Sequence, residues 1–133
     1  MYIDFNQLSE NSRLWVYGSS RIIQESDKVE INNIIVPFLE KWNYHGKSLT
    51  CSYTIINNHF LIVGLDESIN PTGGCSVDGL QKIILEIDHN FAFNLFERLN
   101  VFLFLENKVH CVASKDLNQI TGLDQDSLIF NLN

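Results

Sequence analysis

The residues of this chain that could do chemistry are concentrated between residues 66 and 78. The stretch carries two acids, a proline, two glycines and a thiol, in the order Asp66-Glu67-Ser68-Ile69-Asn70-Pro71-Thr72-Gly73-Gly74-Cys75-Ser76-Val77-Asp78. It joins an apolar, strand-like run from Phe60 to Leu65 to a helical pattern that begins at Val77. A junction with this composition is a candidate binding or catalytic site, because loops on a rigid scaffold commonly carry function.

Cys75 is the candidate nucleophile of this junction. A helix that begins at Ser76 or Val77 places the thiol at its N-cap, where unpaired main-chain N–H groups and the helix dipole favour negative charge. A thiol in such a setting becomes a reactive thiolate more readily. Asp78, expected in the first helical turn, opposes both a thiolate and an anionic ligand there. The plainer alternative is that Asp78 and Ser76 cap the helix and Cys75 is a small buried residue.

The polar neighbours of the thiol complete the predicted site. Gly73 and Gly74 allow close approach of a ligand to the main chain, so they are predicted to bind it together with Ser76. Asp66 and Glu67 follow the end of a strand, where a pair of acids can bind a hard metal or transfer protons, and Glu67 is counted among the ligand-binding residues. Neighbouring residues of an extended chain point to opposite faces, so a solvated loop is the simpler interpretation of these acids.

His45 belongs to a second cluster, Trp42-Asn43-Tyr44-His45-Gly46. We expect its imidazole in the last turn of the first helix, where it is the candidate base or thiolate partner, and we expect Gly46 to end that helix. The alternative is a capping histidine beside an ordinary core Trp42. None of the histidines has metal-ligand spacing, so neither a metal nor a cofactor is expected.

Hydrophobic periodicity predicts an α+β fold, a mainly antiparallel sheet with two principal helices. Strands are predicted at 13–18, 49–55, 60–65, 101–105, 108–112 and 128–130. Helices are predicted from Ser26 to a stop at Gly46, with a kink or break at Pro37, from Val77 to Phe91, and over 114–122. The order is therefore β-α-β-β-α-β-β with a short α-β tail. Its β-α-β-β-α-β portion has the element order of a ferredoxin-like split motif.

Composition limits the classes of function. With 133 residues and 45% apolar content, the chain corresponds to a single domain over 1–133. A net charge of -7 argues against nucleic acid as a partner. No run has the roughly 18 apolar residues of a membrane span. The start does not resemble a signal peptide, and three widely spaced cysteines fit a reducing cytoplasm.

Four short motifs carry a family resemblance. They are Leu-Trp-Val-Tyr from Leu14, Trp-x-x-His-Gly from Trp42, Asp-Glu-Ser from Asp66 and Gly-Cys-Ser-x-Asp from Gly74. Over nearly its whole length the chain resembles a family of small, uncharacterised bacterial proteins that often carry the label ABC transporter ATPase. The resemblance brings no activity or catalytic residues with it.

The ATPase label can be tested against the requirements of a P-loop. The tripeptide Gly46-Lys47-Ser48 is present, but Lys41 stands where the motif requires a glycine. The tripeptide also follows a predicted helix and precedes a strand, which is the reverse of a P-loop. ATP hydrolysis is therefore not expected.

Three hypotheses about function follow. The first is a cytoplasmic α+β protein that binds a small ligand at the junction from Asp66 to Asp78. The second is a thiol-dependent enzyme with Cys75 as nucleophile, His45 as base and Asp66 or Asp78 as the orienting carboxylate. The third is a homodimeric interaction or structural protein that uses a sheet face or an edge strand.

Overall fold

The structure, a computed structural model, describes residues 1–68, 72–119 and 128–130. It has two α-helices, α1 (Glu25–Lys41) and α2 (Gly74–Phe91), and two 3₁₀ helices, Phe5–Gln7 and Ser114–Gln119. The strands are β1 (Arg13–Gly18), β2 (Asn43–Tyr44), β3 (Lys47–Ser48), β4 (Thr50–Ile56), β5 (Phe60–Asp66), β6 (Asn100–Leu105), β7 (Lys108–Ala113) and β8 (Leu128–Phe130). The α+β class is confirmed. The predicted last helix is a 3₁₀ helix, and its expected end at Gly122 lies outside the described residues.

The first sheet has the antiparallel order β1-β5-β4. The strand β5 lies in the centre, with Val63 opposite Trp15 of β1 and Tyr53 of β4. Its alternate side chains Leu61, Val63 and Leu65 are buried in one cluster with the helices. The other face of β5 is covered as well. Because both faces are covered, the sequence of β5 is apolar along nearly its whole length.

Each helix turns one apolar stripe to this sheet. The buried residues of the stripes are Ile31, Ile35 and Leu39 of α1 and Leu80, Ile84 and Ile87 of α2. Spacings of three and four residues keep them on one face of each helix. Burial of one such aliphatic side chain stabilises the fold by about 1.5–3 kcal/mol.

A second sheet, with the order β7-β6-β8, packs on the other face of β5. Phe60 contacts Phe102 of β6, with ring centroids 5.0 Å apart. The order β1-β5-β4 matches the first three strands of the ferredoxin-like motif. In the ferredoxin-like motif the fourth strand would lie beside β1. Within the described residues, however, β6 pairs with β7 and β8 and does not lie beside β1. The apolar contact of Phe102 with Phe60 accounts for this position, because it holds β6 on the sheet face.

Two predicted details of α1 are corrected. The helix begins after Gln24 and not at Ser26, because the Asp27 carboxylate accepts a hydrogen bond from the Gln24 amide (2.9 Å). A hydrogen bond from Arg21 lowers the pKa of Asp27 and so favours this charged cap. The helix also continues through Pro37 without the predicted break. Buried residues of α1 on both sides of the exposed proline hold the helix against the core.

Candidate functional site

The first turn of α2 begins earlier than the sequence pattern suggested. Gly73 is the N-cap, and its carbonyl accepts from the amides of Ser76 (3.1 Å) and Val77 (3.2 Å). Cys75 is therefore the second residue of the helix and not its cap. The amides of Gly74 and Cys75 have no acceptor among the described residues. They are two main-chain donors at the positive end of the helix dipole.

Asp78 lies further from the helix start than predicted. It is the fifth residue of α2, and the first turn contains no acidic residue. The expected opposing charge in that turn is therefore absent, because the helix begins at Gly74 and moves Asp78 one turn away. A negative group at the start of α2 would not meet a helical carboxylate there.

The helix α1 ends at Lys41, before His45. The residues that follow it form the two short strands β2 and β3, and the turn between them has His45 at φ 52° and Gly46 at φ 78°. The prediction of His45 in a last helical turn, with Gly46 as its stop, is therefore wrong. The imidazole is exposed on a hairpin turn, and glycine suits the left-handed second position of that turn.

One buried and one partly buried hydrogen bond connect this hairpin and the end of α1 to the start of α2. The Trp42 indole N–H donates to the carbonyl of Ser76 (2.9 Å), and the Ser76 hydroxyl donates to the carbonyl of Asn43 (2.8 Å). The Ser76 side chain, predicted to bind ligand, is thus engaged within the fold. Both bonds fix the position of the first turn of α2 against α1.

Gly73 is required by a side chain that packs on it. A Cβ atom at Gly73 would lie 2.5 Å from Cε1 of Tyr44 and 2.9 Å from its Oη. The tyrosine ring also contacts the His45 ring, at a centroid distance of 4.1 Å. Gly74 differs, since a Cβ there has nothing within 4 Å. Gly73 thus allows the Tyr44 ring to pack against the main chain, while Gly74 leaves the start of α2 open.

These elements enclose a cleft of about 660 Å³ between α1, the hairpin turn and α2. Its apolar walls include Phe38, Trp42, Tyr44, Gly79 and Ile83. Gly79 faces Phe38, since a Cβ at Gly79 would be 3.5 Å from the ring. The absence of a side chain at this position leaves the space in front of the ring open.

The side chains of Lys41, His45 and Cys75 lie along the same cleft and are exposed. Neither Lys41 nor His45 makes an ion pair with a carboxylate in the part of the chain that the structure describes. Cys75 forms no hydrogen bond with His45 or with any other described residue. The structure thus brings the predicted thiol and base to one cleft without joining them as a catalytic pair.

The predicted acids lie away from this cleft. The Asp66 carboxylate accepts hydrogen bonds from the amide (2.9 Å) and the hydroxyl (2.5 Å) of Ser68. Glu67 forms an exposed ion pair with Arg13, with 3.5 Å between the charged atoms. Neither acid, nor Asp78, lines the cleft. Asp66 and Glu67 therefore fit the interpretation of a solvated loop better than a catalytic role beside the Cys75 thiol.

Sequence reasoning missed Phe38, Lys41 and Gly79. A signal for them was present in the helical spacing, because Cys75, Gly79 and Ile83 are four residues apart and share one face of α2. Phe38 of α1 and Trp42, the residue that caps its end, have the same spacing, and their ring centroids are 5.4 Å apart. That these two faces meet is a tertiary contact that spacing within one helix does not reveal.

The strongest pKa shifts belong to groups outside the cleft. Burial raises the pKa of the Cys51 thiol to about 11 and the pKa values of Tyr17 and Tyr53 to about 12. Among residues 1–68, 72–119 and 128–130, no group of three or more His, Cys, Asp or Glu side chains could hold a metal ion. Neither helix of this described part is long and apolar enough to cross a membrane.

Comparisons of the chain with protein-family models, with curated proteins and with solved structures found no match.

Proposed function

We propose that the protein binds a small, planar, mainly apolar molecule with an anionic group in the cleft between α1, the β2–β3 turn and α2. The observation that carries the proposal is the open cleft of about 660 Å³, which has aromatic walls and ends at the start of a helix. Clefts of roughly 300–1,000 Å³ with apolar walls and a few converging polar groups are typical of small-molecule sites.

The polar groups favour an anionic end on this molecule. Lys41, His45 and Cys75 line the cleft, and the amide of Cys75 is an unpaired donor in the first turn of α2, at the positive end of the helix dipole. No carboxylate of the described residues lines the cleft, although the chain carries a net charge of -7. A carboxylate or phosphate group would be attracted here, and the ring of the molecule would contact Phe38.

The experiment is a calorimetric titration with an aromatic carboxylate such as benzoate or indole acetate, beside its neutral amide. The carboxylate should bind more tightly than the amide. Gly79→Leu fills the space in front of Phe38 and should abolish binding. Gly79→Ala is the matched control, because its Cβ makes an ordinary contact at 3.5 Å and leaves the cleft open. Equal binding by both variants would overturn the proposal.

Thiol chemistry in the same cleft is a second candidate function. The observation that favours it is that the exposed Cys75 and the exposed His45 line one cleft. Since the two side chains are not hydrogen-bonded, a base would have to reach the thiol by movement of the β2–β3 turn. Alkylation of Cys75 near neutral pH should then be much faster than that of a free model thiol and slower in His45→Ala. A rate equal to the model thiol would exclude this function.

A further inference from the structure

A second cleft runs along the edge of β1 that faces away from β5. It has a volume of about 730 Å³ and lies between β1, α2 and residues 95–102. Trp15, Val16 and Tyr17 all line it, although the side chains of consecutive strand residues point to opposite faces of a sheet. A cleft that touches all three residues lies at the edge of the strand, where the main chain is accessible. We call it the β1 cleft.

The main-chain N–H and C=O groups of Val16 point away from β5, towards the β1 cleft. The Ser19 amide donates to the carbonyl of His59 (2.7 Å), in continuation of the β1–β5 register. Bonded and non-bonded pairs alternate along an antiparallel ladder, so Tyr17 bonds to β5 and Val16 does not. Neither group of Val16 has a hydrogen-bond partner in the part of the chain that the structure describes. The wall of the β1 cleft therefore presents one donor and one acceptor side by side.

Both walls of the β1 cleft carry aromatic rings. Trp15 and Tyr17 contribute rings from β1, and Phe96 contributes one from the other side. The rings of Tyr17 and Phe96 meet edge to face, with centroids 5.9 Å apart, and this contact holds the two walls together. Aromatic rings pack well against a flat ring, in offset-stacked or edge-to-face geometry. The walls therefore favour a planar ligand.

The polar side chains of the β1 cleft favour a ligand without net charge. Glu97 and Arg98 both line it, so one anion accompanies one cation. The Glu97 carboxylate accepts a hydrogen bond from the Leu99 amide (2.9 Å), which fixes its position. The Tyr17 hydroxyl donates to the side-chain oxygen of Gln81 (3.5 Å). The NH₂ group of Gln81 has no acceptor among the described residues, so it is a further donor at the β1 cleft.

We propose that the β1 cleft binds a neutral, planar heterocycle that carries a hydrogen-bond donor next to an acceptor, as adenine does with its amino group and N1. The amino group would donate to the Val16 carbonyl, and N1 would accept from the Val16 amide. The ring would contact the aromatic walls, and the Gln81 NH₂ group would donate to another ring nitrogen. This site is separate from the cleft between α1 and α2, where Lys41 and His45 favour an anion, and the inference does not depend on that cleft.

The experiment is a calorimetric titration of the full chain with adenine, beside 6-methylpurine, which has a methyl group in place of the amino group. Adenine should bind roughly tenfold more tightly, because only adenine donates to the Val16 carbonyl. AMP should bind no more tightly than adenine, since the base is the part that is recognised. Equal binding of adenine and 6-methylpurine, binding of AMP alone, or no binding of adenine would overturn the proposal.

A proline substitution tests the main-chain donor. Val16→Pro removes this N–H without breaking a bond to β5, and it should weaken adenine binding roughly tenfold. Leu14→Pro is the matched control, because the N–H of Leu14 also points away from β5 but Leu14 does not line the β1 cleft. It should leave adenine binding unchanged, with the folding of both variants checked by circular dichroism. Equal effects of the two prolines on adenine binding would overturn the proposal.

A second measurement does not depend on substitutions. In a two-dimensional NMR titration of the native chain with adenine, the main-chain amide signal of Val16 should shift and saturate, together with the side-chain NH₂ signals of Gln81. Saturable shifts at Gly79 and His45 with none at Val16 would place adenine in the cleft between α1 and α2 and would refute this site.

Discussion

Gly73→Ala and Gly74→Ala should have opposite effects on stability, although the two glycines are neighbours. The backbone at Gly73 has φ -139° and ψ -178°, which alanine adopts without strain. A Cβ there would lie 2.5 Å from Cε1 of Tyr44. A Cβ at Gly74 would meet nothing within 4 Å. The substitutions therefore differ in one contact, with the tyrosine ring that forms a wall of the cleft.

The magnitude follows from that distance. Carbon atoms pack at about 3.5–4.0 Å, so the Tyr44 ring must move by about 1 Å to accept the new methyl group. Overpacking of this kind costs about 1–3 kcal/mol of unfolding free energy. Gly74→Ala instead loses only chain entropy in the unfolded state and should stabilise by about 0.4–1 kcal/mol. The two variants should differ by about 1.4–4 kcal/mol.

The assay is urea unfolding followed by tryptophan fluorescence, with Tyr44→Ala as a further variant. In the Tyr44→Ala background the collision is absent, so Gly73→Ala should no longer destabilise. Binding of an aromatic carboxylate should also weaken in Gly73→Ala, because the displaced ring changes the cleft wall. Equal unfolding free energies for the two glycine variants would refute this account of the helix start. Strict additivity of Gly73→Ala with Tyr44→Ala would refute it as well.

Two more predictions concern buried groups. Trp42→Phe removes the donor to the Ser76 carbonyl and leaves space, so it should lower the unfolding free energy in urea by about 2–3 kcal/mol; an unchanged value would contradict this. Burial raises the pKa of Cys51 from 9.0 to about 11, so its stability contribution is present below pH 9 and is lost as pH rises towards 11. In Cys51→Ala, the unfolding free energy measured in urea should fall less steeply just above pH 9 than in the native chain. Tyr17 and Tyr53 contribute only above pH 10. An equally steep fall in both proteins would count against this prediction.

Local patterns were sufficient to predict the strands of the first sheet. The alternation from Leu49 to Ile55 predicted β4, and the apolar run from Phe60 to Leu65 predicted β5. Asn57 and Asn58, which join β4 to β5, both have positive φ, a conformation that asparagine tolerates better than most residues. Each of these features depends on neighbours in sequence, which is why the sequence alone revealed them.

The ends of the two helices could not be predicted in this way. The start of α2 and the end of α1 are fixed by hydrogen bonds from Trp42 to Ser76 and from Ser76 to Asn43, between residues more than thirty positions apart. The pattern placed His45 inside a helix because nothing local marked Lys41 as its last residue. The sequence analysis predicted Cys75 and His45 in one site, and both line the cleft. The wall formed by Phe38 and Gly79 required the packing of α1 on α2.

The ligand cleft can be tested most directly by following the main-chain amide signals of the native protein in a two-dimensional NMR titration with an aromatic carboxylate. Saturable shifts should concentrate at Gly74, Cys75, Gly79, Tyr44 and His45, while the signals of β7 stay unchanged. Shifts that do not saturate, or that fall on other surfaces and leave the start of α2 unaffected, would contradict binding at this cleft.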